Sequence, residues 1–214
     1  STPATVDPST SSIVPGDAQA LGFDPAKLGA ITAALDADIA SGKLPGAYLL
    51  VGRHGQVAYQ HGFGVQGPGQ TTPTSDQTIF RVFSMTKPIV AVTAMTLVQE
   101  GKLELDVPIG RYLPQLPTES GDRVTIHHLL THTSGVGSYW NEAHAARLAE
   151  LDSQQASLAT FVDQPLLFEP GQGNEYSNGG PVILGLVIEA ISGKDYYDYV
   201  REFIYRPAGM IHAD

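Results

Sequence analysis

A serine and a lysine separated by two residues, Ser84 and Lys87, are the best candidates for chemistry in this sequence. The apolar stretch 89–98 follows them, and the strand-like run 79–83 precedes them. If that stretch is helical, the spacing places both side chains on one face, about 5–6 Å apart at Cβ. A hydroxyl beside an amine is the minimum for an activated serine nucleophile. The positive helix end would stabilise negative charge that develops next to Ser84.

The S-x-x-K pattern needs a partner before it indicates catalysis, because so short a pattern also occurs by chance. A lysine with an ordinary pKa of about 10.4 is a poor base at neutral pH. The Y-x-N triplet at residues 176–178 could help, with Tyr176 as a base and Asn178 as a donor towards lysine or substrate. The triplet at 139–141 has the same spacing, but Tyr176 leads into an apolar helix, so we favour Tyr176.

The composition limits the classes of partner. The 214 residues are 42% hydrophobic and 16% charged, which is enough for a globular core. A net charge of -10 argues against nucleic acid and against an anionic membrane surface. No run approaches the roughly 18 apolar residues of a membrane span, and the absence of cysteine excludes disulfides and a cysteine nucleophile. We expect a soluble protein; its compartment stays open, with the cytoplasm favoured over the periplasm or secretion.

Three regions follow from the pattern of Ser, Pro, Gly and apolar residues. We expect a flexible tail at 1–20, the N-terminal part of an α/β domain with the nucleophile helix at 21–101, and a mainly helical domain at 102–214. The first domain should contain a helix from Pro25 to Gly42, a hairpin turning at Gly55, and a third strand at 79–83. So small a sheet with bare edges is rarely stable. We therefore expect further strands from a C-terminal fragment or a second chain.

The helical domain is predicted from apolar periodicity and from the residues that end helices. The expected helices are 125–130, 142–151, 153–163, 181–191 and 195–205. The last two should form a helical hairpin around Ser192-Gly193, and 171–178 should be a glycine-bearing loop.

Four segments that occur in order, residues 80–88, 129–135, 168–178 and 207–210, resemble those of the serine beta-lactamase-like superfamily. The branch of class C beta-lactamases and family VIII carboxylesterases is the most similar, with D-alanyl-D-alanine carboxypeptidases as relatives. The resemblance implies an α/β (α+β), beta-lactamase/transpeptidase-like fold. In that fold an antiparallel sheet is flanked by helices beside a mainly helical subdomain, and the sheet's C-terminal strands are not in this sequence.

The same resemblance implies roles for individual residues. Ser84 would be the nucleophile, Lys87 and Tyr176 its proton-transfer partners, and Asn178 the group that orients lysine and substrate. The family's third motif, a K-T-G, H-T-G or W-G-G-like triplet on a late strand, does not occur in residues 1–214. Because that strand gives one oxyanion-hole amide and the Ser84 N–H gives the other, we expect the chain alone to be inactive and a second chain to restore it.

Other side chains receive weaker predictions. Tyr112 and Trp140 lie in loops between helices, where the family layout implies a substrate pocket. His128 and His132 are four residues apart, but no H-E-x-x-H occurs, so we expect no metal site and no cofactor.

The expected function is a serine hydrolase that works through an acyl-enzyme on a small ester or amide. A carboxylesterase for short acyl chains is our first choice, because residues 81–88 resemble those of such esterases more than those of secreted beta-lactamases. A beta-lactamase or a D-alanyl-D-alanine carboxypeptidase or D-peptidase is the alternative within this class. From another class, a catalytically inactive, penicillin-binding-like protein that binds a ligand stays open.

Overall fold

The computed structural model describes residues 14–146, 151 and 153–213. The chain divides into two compact units, and the boundary falls between Arg81 and Val82. The helix that follows Ser84 belongs to the second unit, whereas we expected it to group with the strands. No helix in the described ranges is both long and apolar enough to cross a membrane.

The first unit is a small mixed sheet with one helix. Strands β2 (Gly46–Arg53) and β3 (Gln56–Gly64) are antiparallel, and helix α1 (Pro25–Ala40) precedes them. The turn residues His54 and Gly55 both have positive φ, 52° and 73°, as a two-residue turn between twisted strands requires. The predicted helix and hairpin are confirmed.

Two expectations for this part of the chain differ from the structure. Residues 79–83 are not a strand, and the side chains of Ile79 and Phe83 are 71% and 75% exposed. No described strand pairs with this run, and an apolar alternation forms a strand only where a neighbour provides hydrogen bonds and packing. The expected tail at 1–20 includes strand β1 (Val14–Pro15), which pairs in parallel with β3. Residues 1–13 of that tail lie outside the described residues.

The second unit is helical. Its α-helices are α2 (Thr86–Gln99), α3 (Thr118–Gly121), α4 (Ile126–Leu130), α5 (Glu142–Ala146), α6 (Gln154–Leu158), α7 (Gly179–Ser192) and α8 (Tyr196–Val200). Short 3-10 turns occupy Phe83–Met85 and Ile109–Arg111, and a π-helical turn occupies Arg201–Tyr205. Helix α7 ends at Gly193, with φ 68°, and Asp195 caps α8, which confirms the predicted helical hairpin.

Helices α5 and α6 are shorter than the predicted segments 142–151 and 153–163. Residues 147–150 and 152 lie outside the described residues. After α6 the chain continues in turns, in which the N–H groups of Thr160 and Phe161 bond to carbonyls three residues earlier. The Thr160 carbonyl accepts the side-chain amides of Asn141 and Gln164.

Helix α7 lies at the centre of the second unit's core. It buries residues on most of its circumference, among them Ile183, Leu184, Val187 and Ile188. A helix that is apolar nearly all round must be covered on several sides, and α7 packs against α2, α4, α6 and α8. The contact with α2 brings the start of α7, and the loop before it, near the start of α2.

Candidate active site

Ser84 lies in the 3-10 turn that leads into α2. The preceding residue, Phe83, has a positive φ of 46°, which non-glycine residues rarely adopt and which often occurs next to functional groups. The turn places Ser84 two residues before the first residue of α2. The N-terminal end of a helix carries a partial positive charge, so this position favours an anion that forms beside Ser84.

Lys87 lies in the first turn of α2, and the structure brings it to Ser84 as the spacing predicts. Its Nζ donates a hydrogen bond to Ser84 Oγ at 3.2 Å. The same ammonium donates to Asn178 Oδ1 at 2.7 Å and lies 4.5 Å from the centre of the Tyr176 ring. Lys87 therefore joins α2 to the residues just before α7.

Tyr176 completes the contacts of the serine. Its Oη donates a hydrogen bond to Ser84 Oγ at 2.7 Å. The interaction with the Lys87 ammonium, and then the bond with Ser84, lower the pKa of the Tyr176 phenol from its usual 10.0. A lowered pKa makes the phenolate easier to form, and a phenolate can accept the proton of Ser84.

Asn178 is the N-cap residue of α7, and both ends of its amide have partners. Its Oδ1 accepts from Lys87, and its Nδ2 lies 3.5 Å from Ser138 Oγ. These partners fix the direction of the amide, with the oxygen towards the lysine.

Ser177 explains the conformation of the triplet, although sequence reasoning assigned it no role. Its side chain is buried, and its Oγ donates to the carbonyl of Gly137 at 2.7 Å. The same oxygen accepts the N–H groups of Gly179 and Gly180 in the first turn of α7, at 3.0 and 3.2 Å. One hydroxyl thus begins the helix and attaches it to the loop after α4, while Tyr176 and Asn178 are left to face Ser84 and Lys87.

The loop segment 131–138 supports the triplet along its length. The carbonyls of His132, Thr133 and Gly135 accept the N–H groups of Glu175, Gly171 and Leu167, at 3.0, 2.8 and 2.8 Å. In the sequence, this segment was only part of one of the four segments that resemble the superfamily. Its T-H-T-S-G run was the signal that could have indicated its role as a support. Its role as a support depends on hydrogen bonds across more than 30 residues, which no local pattern shows.

Tyr112 and Trp140, both predicted to line the substrate pocket, occupy different environments. Tyr112 Oη accepts the N–H of Glu104 at 2.9 Å, and its ring packs on the core. Neither contact is with the serine or the lysine, and a place for Tyr112 in the substrate pocket stays a prediction. Trp140 is 75% exposed, and its backbone N–H donates to the Ser138 hydroxyl that also lies beside Asn178.

The side chain of Asn141 in the competing triplet at 139–141 bonds to backbone carbonyls and not to Ser84 or Lys87. Asn141 Nδ2 donates to the carbonyls of Ser138 and Thr160, at 3.2 and 3.0 Å. Burial, and then the nearby Tyr176, raise the pKa of Tyr139, which makes it a weaker candidate for a base. The preference for Tyr176 is consistent with both observations.

The two histidines with metal-ligand spacing each accept a hydrogen bond from a backbone N–H. His128 Nδ1 accepts the N–H of Thr125 in a capping box, and His132 Nδ1 accepts the N–H of Ser177. No cluster of three or more His, Asp or Glu residues suited to a metal ion occurs within the described ranges.

Taken together, Ser84 Oγ is an exposed hydroxyl that contacts two groups able to carry protons. Both groups are held by partners of their own, and a helix N-terminus lies beside the oxygen. This arrangement fits a serine nucleophile that is activated by its neighbours.

Comparison with known proteins points to the same chemistry. The model of the family described as Beta-lactamase matches residues 31–214. Esterase EstB from Burkholderia gladioli is 36% identical over 211 residues, in an alignment that covers 91% of this chain and 53% of that protein. The chain therefore spans about half the length of this curated relative.

Solved structures agree with the sequence relatives. The octameric penicillin-binding protein homologue from Pyrococcus abyssi has a TM-score of 0.76 and 32% identity, over 88% of this chain and 44% of that one. EstCE1, described as a hydrolase with promiscuous acyltransferase activity, has a TM-score of 0.69 and 26% identity, over 81% and 49%. The penicillin-binding and beta-lactamase fold predicted from the sequence is confirmed, with a sheet that is not closed in the described residues. The chain belongs to the beta-lactamase family.

Proposed function

We propose that the protein is a serine hydrolase that works through an acyl-enzyme and acts on carboxylic esters with short acyl chains. The observation that carries this proposal is the convergence of Lys87 Nζ and Tyr176 Oη on Ser84 Oγ, at 3.2 and 2.7 Å. Two proton carriers on one exposed hydroxyl have a direct use in catalysis, whereas a structural serine would need only one partner.

In the proposed reaction, Tyr176 acts as a phenolate beside the Lys87 ammonium and takes the proton of Ser84. Ser84 Oγ then bonds to the substrate carbonyl carbon, and the carbonyl oxygen becomes an oxyanion. As the carbonyl re-forms, the bond to the leaving alcohol breaks and Tyr176 returns the proton to that alcohol. Water then attacks the acyl-enzyme by the same route, releasing the carboxylic acid and free Ser84.

The oxyanion needs hydrogen-bond donors, and the proposal assigns one of them to the backbone N–H of Ser84. The second comes, on the family layout, from a late strand whose K-T-G, H-T-G or W-G-G-like triplet does not occur in the sequence of residues 1–214. We assign that strand, and the others that complete the sheet, to polypeptide beyond these residues, whether in the same chain or a second one. The coverage of about half of EstB supports this assignment.

The relatives of this chain favour esterase activity over the other candidate activities. EstB is an esterase and EstCE1 is a hydrolase, and each matches most of this chain. The Pyrococcus abyssi homologue supports a second candidate within the class, a beta-lactamase or D-peptidase activity at the same serine. The intact contacts of Ser84 weigh against a protein that kept the fold but lost catalysis.

Trp140 is proposed as part of the substrate-binding wall. It is exposed, and it is joined through Ser138 to Asn178, which contacts the catalytic lysine. Trp140→Ala should therefore raise KM for aryl esters and leave kcat little changed. An unchanged KM would remove Trp140 from the site.

The proposed function is tested with the full-length protein and a panel of substrates. We expect turnover of p-nitrophenyl acetate and butyrate, and slower turnover or none with nitrocefin and with a D-alanyl-D-alanine peptide. Ser84→Ala should abolish the activity and keep the fold, as seen by circular dichroism. Preferred turnover of nitrocefin or of the peptide would replace the esterase by the second candidate. Activity that survives in Ser84→Ala would contradict both.

A further inference from the structure

We propose that His132 is a positioning residue for Tyr176, an inference that rests on the proposed function, in which Tyr176 exchanges the proton of Ser84. The imidazole of His132 lies against the Tyr176 ring, with 4.9 Å between the ring centres and 36° between the planes. Its Nδ1 accepts the backbone N–H of Ser177 at 3.3 Å. In the sequence, the spacing of His132 from His128 suggested only a metal ligand.

His132 contacts three consecutive residues at once. Its carbonyl accepts the N–H of Glu175 at 3.0 Å, its ring lies on Tyr176, and its Nδ1 holds Ser177. Tyr176 is therefore held on both sides along the backbone and across one ring contact. Because the phenol must stay within hydrogen-bond distance of Ser84, a small displacement of this backbone would separate the reacting groups.

The backbone of His132 is itself unusual. Its φ is 59°, in the left-handed region that a non-glycine residue adopts only where the surroundings hold it there. The partners of the carbonyl and the ring provide that support. With this backbone, the carbonyl and the side chain of His132 contact the same short loop.

Histidine suits this position because it offers a flat ring and an acceptor nitrogen together. An imidazole can accept at Nδ1 only while that nitrogen carries no proton. Burial, and then the positive charge of Lys87, lower the pKa of His132, which keeps the neutral form that the Ser177 bond requires. The neutral ring also adds no second positive charge beside Lys87 and Tyr176.

Four variants of the full-length protein separate positioning from simple support of the fold. His132→Asn keeps an acceptor near the Nδ1 position and adopts a left-handed backbone easily. His132→Phe keeps the flat ring without the acceptor, and His132→Ala removes both. His127→Asn is the matched control, since His127 lies five residues earlier, in helix α4, and is exposed.

The measurement is the pre-steady-state burst with p-nitrophenyl butyrate. The burst amplitude counts functional serines, and the burst rate constant reports their acylation. We expect His132→Ala to lower the rate constant per functional serine by about 10- to 100-fold. KM should not change in His132→Ala, and the burst rate constant of His127→Asn should equal that of the wild type. His132→Asn should recover most of the acylation rate that His132→Ala loses.

A purely structural role gives a different result. In that case His132→Ala would lower the thermal midpoint or the burst amplitude, while the rate constant per functional serine stayed at the wild-type value, and the proposal would be overturned. If His132→Ala does not fold, the comparison of His132→Asn with His132→Phe decides. The proposal requires that Ser84 is acylated faster in His132→Asn than in His132→Phe. A wild-type protein that hydrolyses none of the p-nitrophenyl esters would instead contradict the proposed function itself.

Discussion

At the scale of single residues, Lys87 and Tyr176 have different parts in the contact with Ser84. Lys87 is an ammonium that donates to both Ser84 and Asn178, so its positive charge is fixed in place. Tyr176 is the group whose pKa is lowered, with Lys87 as the first cause and Ser84 as the second. Under the proposed function, this division assigns the role of base to Tyr176 and makes Lys87 the residue that lowers its pKa.

The division predicts a pH dependence. If Tyr176 must be deprotonated, kcat/KM should rise with pH through the lowered pKa of the phenol and level off above it. Lys87→Met removes the first cause of that shift, so the pKa should return towards 10.0 and the rising limb should move to higher pH. At neutral pH the variant should lose about 10²–10⁴ in rate, the usual contribution of acid–base catalysis. The check is a profile of kcat/KM for p-nitrophenyl butyrate against pH.

Two further variants control this prediction. Tyr176→Phe should remove the rising limb and most of the activity. Tyr139→Phe, at the matching position of the competing triplet, should leave the profile as it is. A rising limb that stays in place in Lys87→Met would show that Lys87 does not set the protonation of the base.

The sequence predicted the residues of the site to different degrees. Ser84 and Lys87 were predictable because a three-residue helical spacing determines their distance. Tyr176 and Asn178 lie about 90 residues further along, and only the Y-x-N motif in its sequence context indicated them.

Ser177 and His132 were missed because their roles depend on long-range hydrogen bonds. The pocket role of Tyr112 stays a prediction from the family layout, and the sequence did not show that its hydroxyl accepts the N–H of Glu104.

At the scale of elements, the first turn of α7 positions the triplet, and a pair of glycines there permits a close approach. A Cβ on Gly179 would lie 2.4 Å from the carbonyl oxygen of Gly137 and 2.7 Å from the ring of Phe161. A Cβ on Gly180 would meet nothing nearer than 3.5 Å, an ordinary contact. The chain therefore needs glycine at one position and only tolerates it at the next.

The two glycines should respond differently to alanine. Gly179→Ala should lower the free energy of unfolding by about 1–3 kcal/mol, because the overpacked turn must move away from the 131–138 segment. The same movement should slow acylation of Ser84. Gly180→Ala should leave stability unchanged or raise it by up to about 1 kcal/mol, since alanine favours a helix more than glycine does. Urea unfolding compares the two, and equal losses would contradict the assigned close contact.

Element boundaries were predictable where a capping residue determines them and not elsewhere. Pro25 and Gly193 correctly marked the start of α1 and the end of α7. In the turns after α6, the Thr160 carbonyl accepts the side-chain amides of Asn141 and Gln164, and no local pattern shows the long-range contact with Asn141. The run 79–83 has the composition of a strand but no strand neighbour in the described residues, so composition alone misled.

At the scale of the whole molecule, the second unit exposes large apolar side chains near the serine in sequence. Phe83 and Met85 are 75% and 71% exposed, and Val92 and Met95, three residues apart on α2, are 51% and 42% exposed. Apolar groups exposed in this number usually mark a surface that another element covers. Polypeptide beyond residues 1–214 would be such a cover under the proposed function.

This proposal predicts that the 1–214 polypeptide is far less active than the full-length protein. Loss of one oxyanion donor alone should lower ester hydrolysis by about 10²–10³-fold. Adding the remaining polypeptide as a separate chain should restore part of the rate. Equal rates per mole for the 1–214 polypeptide and the full-length protein would show that residues 1–214 hold the complete catalytic apparatus.

The most direct test of the central claim is the intact mass of the full-length protein after treatment with a fluorophosphonate, followed by peptide mapping. We predict one adduct per chain, located on Ser84 and absent from Ser84→Ala, with much slower formation in Lys87→Met and Tyr176→Phe. No adduct on the folded protein, or an adduct on another residue, would contradict the assignment of Ser84 as the nucleophile.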